Sequence, residues 1–121
     1  MRALIISAVL LAVVVIFVFS SSAWLSGFFS KLLDTANGLD FNSPESSDKT
    51  DKAEKKWKTG KFAVLLFFDK EETDNIDSSL DRLLNAEKNN DEKEYTAAAE
   101  ELRFEIKRMK DMLDIRFVNI F

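Results

Sequence analysis

The chain has 121 residues, with 17 Lys and Arg against 21 Asp and Glu, and it contains neither histidine nor cysteine. Those two absences remove disulfides, thiol nucleophiles, the commonest general base and ordinary zinc sites in one step. Beyond Lys31 there are 15 basic and 21 acidic residues, a balance that argues against nucleic acid as a partner and against strong attraction to anionic lipid heads.

No charged residue separates Arg2 from Lys31, and from Ala3 to Phe19 only Ser7 interrupts a run of Leu, Ile, Val, Phe and Ala. Between Leu4 and Phe19 stand 13 Leu, Ile, Val and Phe residues. At about −0.3 to −0.6 kcal/mol each, they favour membrane insertion by an upper estimate of roughly 4 to 8 kcal/mol. A cleavable signal peptide competes with a retained span. Arg2 serves as its basic start, and Ser21 with Ala23 fit the small-residue rule for a cut before Trp24. The run is longer than the ~7 to 15 residues of a signal core, and Ala23 and Trp24 extend it towards the ~20 needed to span. We therefore expect residues 1–24 to form a transmembrane signal anchor, with Trp24 and the nearby Phe28 and Phe29 at the membrane interface. The amine and Arg2 before the span suggest an N-terminus inside the cell and the remainder outside.

Leu25, Phe28, Phe29, Leu32, Leu33, Ala36 and Leu39 recur at helical spacing, so residues 25–39 read as a juxtamembrane amphipathic helix. Its stripe either packs on the rest of the domain or lies in the lipid interface. Asn37-Gly38 is a stop signal, because both residues tolerate the left-handed conformation that closes a helix. Residues 40–50, around "DFNSPESSDK", form the best linker. Within it Ser43-Pro44 has the form of an N-cap followed by proline at the first helical position.

The helical domain is expected over residues 51–121. Its first helix is lysine-rich and runs into seven consecutive apolar residues, Phe62 to Phe68. Seven is too few for a second span, and a strand would lack partners, so the run reads as helix and as the most buried part of the domain. Gly60 weakens that helix by about 1 kcal/mol relative to Ala. In "DKEETDNID", Asp69, Glu71, Asp74 and Asp77 suggest a cation site. However, an EF-hand counted from Asp69 puts Asp74 where glycine is needed and Leu80 where the bidentate Glu belongs. We expect no metal and no other cofactor. The acidic residues instead suit a helix start, and Ile76, Leu80, Leu83 and Leu84 follow on one side.

The last helix has the clearest pattern. Asp91 and Glu94 resemble a capping box, and Tyr95, Ala99, Leu102, Ile106, Met109 and Leu113 follow at alternating spacings of four and three, continued loosely by Phe117 and Ile120. Such a seam is more often internal to a bundle than an oligomer interface. Lysines at 49–61 and acids at 69–101 favour folding back within one chain.

The N-terminal apolar run, the helix with Trp57, the "DNIDSSLDRL" block at residues 74–83 and the leucine-spaced helix ending in "VNIF" resemble the domain-of-unknown-function family 4363. That resemblance implies a short bacterial membrane protein with an all-helical domain, no assigned activity and no functional residues to carry over. In one departure, Asp69-Lys70 stands where the family often has a histidine. The fold expected is all-α, a single transmembrane helix followed by a small extracytoplasmic bundle or hairpin.

A Ser/Lys dyad among Ser20 to Ser22, Ser26, Ser30 and Lys31 lacks a glycine-rich oxyanion or phosphate loop, since the three glycines are not clustered. The expected protein is therefore not an enzyme. Its expected partners are the membrane and another envelope protein, with no small-molecule ligand and with oligomerisation not favoured. Two alternatives stand beside this reading. One is a secreted helical protein freed near Ala23, and the other is a lipid-surface module using residues 24–39.

Overall fold

The computed structural model describes the backbone of residues 1–120 and the side chains of residues 1–115. It contains four helices, α1 (Arg2–Asn37), α2 (Ser46–Leu65), α3 (Lys70–Lys88) and α4 (Glu92–Ile120), and no strand among the described residues. Consecutive helices pack on one another and α4 closes back on α1, so the four make a ring around a shared core. Short connections make each neighbour antiparallel to the last, as in an up-down-up-down bundle.

No break separates residues 1–24 from residues 25–39, because α1 runs unbroken through Trp24. Its second half belongs to the bundle. Leu25, Phe29, Leu32 and Ala36 are buried, with Phe28 and Leu33 packed against the same core. The apolar stripe of residues 25–39 is thus taken up by other helices rather than lying free for lipid. The residues between α1 and α2 are only 38–45, so the domain starts earlier than residue 51.

Helix ends depart from the sequence reading in instructive ways. Gly38 follows α1 as expected, but with φ −83 and ψ −5 it is right-handed. The cap comes from α4 instead. Arg103 donates from Nε to Ala36 O and from Nη2 to Leu39 O, both at 2.8 Å. A guanidinium there satisfies carbonyls at the end of α1 and offsets the negative end of its dipole. The left-handed closure lies elsewhere, at Asn90 with φ 54. There Asp91 N donates to Ala86 O and Asn90 N to Glu87 O, the paired bonds of a Schellman turn. Ser43-Pro44 does not cap α2. Ser43 Oγ accepts from Glu45 N at 3.3 Å, and the helix begins two residues after Pro44, at Ser46. Half of the capping box at α4 forms, since Glu94 N donates to Asp91 Oδ1 at 3.2 Å. The Glu94 carboxylate is occupied by Arg82 Nε of α3 at 2.8 Å.

All six seam residues of α4 (Tyr95, Ala99, Leu102, Ile106, Met109 and Leu113) are buried inside this one chain, whereas Phe117 and Ile120 lie outside the described side chains. Tyr95 also carries a polar link that reaches diagonally across the ring. Thr50 Oγ1 donates to Ser46 O at 2.8 Å and stands 3.1 Å from the Tyr95 hydroxyl. With its proton committed, Thr50 accepts and Tyr95 donates.

Two outcomes follow from this core. Ile106 is fully buried, so Ile106→Asp places an unpaired charge among apolar neighbours. The expected cost is several kcal/mol out of a total of about 5 to 15, enough to abolish the cooperative melt in circular dichroism. A mutant that stays folded while a multimeric parent becomes monomeric would move the seam between chains. Tyr95 supplies the second outcome. Burial, ahead of all other causes, raises its phenol above the usual 10.0. The neutral form is favoured in the folded state, so the associated stability is complete below about pH 10 and is lost as pH climbs through the folded-state value. Tyr95→Phe should flatten that part of the alkaline limb in urea melts from pH 8 to 11, while costing about 0.5 to 1.5 kcal/mol near neutrality.

Candidate membrane-contact site

Along α1 the environment of the side chains changes once. Leu4, Ile5, Val9, Leu11, Val13, Ile16 and Phe17 are all more than half exposed, whereas Leu25 and Phe29 are fully buried. The change falls within Ser20–Leu25. The twenty residues 2–21 rise about 30 Å as a helix, the thickness of a bilayer's hydrocarbon core. α1 is long and apolar enough to cross a membrane by length and composition, and none of its most apolar window is covered by the bundle.

Just above that change, aromatic rings fasten α1 to α2. Trp24 stacks on Phe28 with ring centroids 5.4 Å apart and planes 6° from parallel, and Phe28 lies 6.5 Å from Trp57. Phe29 meets Phe68 edge-on at 5.9 Å. The ring of Phe28 occupies the space that a Cβ on Gly60 would need. Gly60 is therefore more than a weak point in α2, because its missing side chain makes room for the Phe28 ring of α1. Trp57 Nε1 donates to Asp77 Oδ1 at 2.6 Å, and Lys61 Nζ reaches Asp77 Oδ2 at 2.6 Å, so α3 is tied to the same region.

The three residues expected at the membrane interface separate. Trp24 is 51% exposed, Phe28 is half-buried between rings, and Phe29 is fully buried in the core, so it cannot touch lipid. Phe29 faces inward because Leu25, Phe29, Leu32 and Ala36 share the face that α2 and α4 cover. The expectation that residues 62–68 are the most buried part of the domain is also overturned. α2 ends at Leu65, and Phe62, Leu65 and Leu66 are 75%, 40% and 60% exposed. Only Val64 and Phe68 of that run are fully inside. An uninterrupted apolar string carries no periodicity to tell inward from outward positions, which is why the sequence did not give this away.

Asp77, one of the four carboxylates considered for a cation, is engaged by Trp57 and Lys61. Among the described residues no three His, Cys, Asp or Glu are grouped to hold a metal. On α1, Ser22 is buried and Lys31 exposed, about half a turn apart around the helix.

Residues 36–120 match the family described as domain of unknown function DUF4363. The chain belongs to that family. The matched region starts near the end of α1 and takes in α2, α3 and α4, so the DUF4363 region holds most of the bundle but not the exposed half of α1. No curated protein and no solved structure matches the chain.

The Gly60 contact gives a prediction whose sign is informative. At an open helix position, Gly→Ala stabilises by about 1 kcal/mol. Because Phe28 fills that space, Gly60→Ala should give no such gain, and Gly60→Val should lose about 1 to 3 kcal/mol through overpacking. A clear rise in Tm for Gly60→Ala would mean that Phe28 does not pack there.

Proposed function

We propose that this DUF4363 protein is a non-enzymatic, membrane-anchored envelope protein that holds its helical bundle on the bilayer surface as a docking module for another envelope protein or membrane complex. The observation that carries this reading is the continuity of α1, which is one helix exposed and apolar over its first half and built into the bundle core over its second. Cytoplasmic N-terminus and extracytoplasmic bundle follow from Arg2 on one side of the span.

Its bundle has the character of a binding surface rather than a reaction site. Histidine and cysteine are absent, and the buried hydroxyls of Thr50 and Tyr95 bond each other across helices. The exposed faces of α3 and α4 carry many of the chain's acidic residues. Recognition of a partner with a basic face is the chemistry such a surface supports. A second reading, release by cleavage before Trp24, is favoured by one observation. The buried core starts at Leu25 apart from Ser22, so a cut there would leave it nearly complete.

The two readings separate in one preparation. Protein from native membranes is expected to keep its original N-terminus and to resist carbonate extraction; a soluble form starting at Trp24 would establish release instead. Orientation is checked by Ser47→Cys in the otherwise cysteine-free chain. Labelling by an impermeant maleimide on intact cells is expected, and labelling only after lysis would reverse the topology.

A further inference from the structure

The corner between α2 and α3 is the least expected surface on the molecule. Phe62, Leu65 and Leu66 are large, apolar and exposed, and they fall at i, i+3 and i+4 on one side of the end of α2. Scattered exposed apolar residues need no explanation, but a contiguous set does. This set is bounded by charge on both sides, at Lys61 and Asp69, and no charged residue interrupts it.

Its position says what covers it. α2 runs antiparallel to α1, so its C-terminal end approaches the exposed apolar half of the anchor helix. There Ala63, Leu66 and Phe67 line a groove of about 370 Å³ whose other wall is Phe17, Ser20, Ser21 and Trp24 of α1. Phe17 lies four residues, about 6 Å, towards the N-terminus from Ser21. A bilayer that surrounds α1 up to Ser21 therefore surrounds the floor of this groove as well.

The backbone donors at the corner are paired within the chain. Turn-type bonds satisfy its donors: Leu66 N to Ala63 O at 3.2 Å, Phe67 N to Val64 O at 3.0 Å and Phe68 N to Val64 O at 2.9 Å. Free N–H groups would otherwise make entry into lipid costly. Phe68, buried against Phe29, turns the chain back into the bundle and leaves Leu65 and Leu66 at the tip.

We propose that the α2–α3 corner is a second membrane contact, with Leu65, Leu66 and Phe62 entering the acyl–headgroup boundary of the leaflet from which the bundle emerges. This rests on α1 being a retained span. The contact is shallow, within the ~5 to 10 Å that interfacial apolar faces reach. Together with Trp24 it seats the bundle at two points, which fixes its tilt on the bilayer as well as its height.

The test uses the full chain in phosphatidylcholine nanodiscs containing nitroxide-labelled lipid. Single cysteines are introduced as Val13→Cys, Leu66→Cys, Phe62→Cys and Ser47→Cys, each carrying the same environment-sensitive fluorophore. Lipid nitroxide is expected to remove most of the fluorescence at 13 and 66, with 62 following 66 more weakly. Aqueous iodide is expected to quench strongly at 47 and little at 66. If 13 is quenched by lipid while 66 responds to iodide as 47 does, the span stands and the second contact is overturned. If 66 is shielded from both quenchers, protein covers the corner, and the lipid assignment is overturned in favour of a second copy. Failure of lipid to quench at 13 would remove the span and, with it, the contact built on it.

Discussion

One helix passing through two surroundings is the constraint on which the rest of this structure depends. α1 has 36 residues and no break, so its exposed and buried halves are rigidly in register. Its only internal glycine, Gly27, lies within the continuous helix. Wherever the apolar half is held, the orientation of the bundle is therefore determined too. A tether of flexible linker would have left the domain free to rotate, and the direct join does not.

Two different kinds of interaction then close the ring at its two ends. Far from the apolar half of α1, polar contacts dominate: Arg103 caps α1 from α4, Tyr95 reaches Thr50 across the core, and Arg82 pairs with Glu94 and Glu101. The Arg82 pairs are part-exposed and contribute little each. The hydroxyl pair is buried, so losing Thr50 strands the Tyr95 hydroxyl, whereas Thr50 without Tyr95 keeps its bond to Ser46 O. Near the apolar half, ring packing dominates instead: Trp24, Phe28, Trp57, Phe29 and Phe68 form a chain of ring contacts, with Phe28 seated on Gly60. Aromatic contacts keep their strength where water is scarce, and Trp24, amphipathic and half exposed, suits the boundary itself.

This division also explains why the corner after α2 can be apolar without destabilising the fold. Its inward residues, Val64 and Phe68, are already buried in the core, where Phe68 meets Phe29 of α1 edge-on. Phe62, Leu65 and Leu66 are surplus to the core. In water they are a liability for aggregation and at a membrane they would be an asset, which is the basis of the second contact proposed above.

The sequence by itself determined whatever depends on period and composition. The uncharged run before Lys31 marked the apolar half of α1, and the spacing from Tyr95 to Leu113 identified the buried face of α4, because a period of 3.6 maps positions onto faces without reference to neighbours. Absent histidine and cysteine narrowed the chemistry in the same neighbour-free way. Tertiary structure decided what depends on which partner arrives. The stripe at 25–39 had a packed reading and a lipid reading, and only the arrival of α2 and α4 buried Leu25 and Phe29. The end of α1 was visible at Gly38, but its cap is Arg103, more than sixty residues away. Gly60 read as a helix defect until Phe28 occupied its empty side. For Phe62 to Phe68 a continuous apolar string has no face to read, and burial was assigned only when Phe68 turned the chain inward and left Leu65 and Leu66 outside.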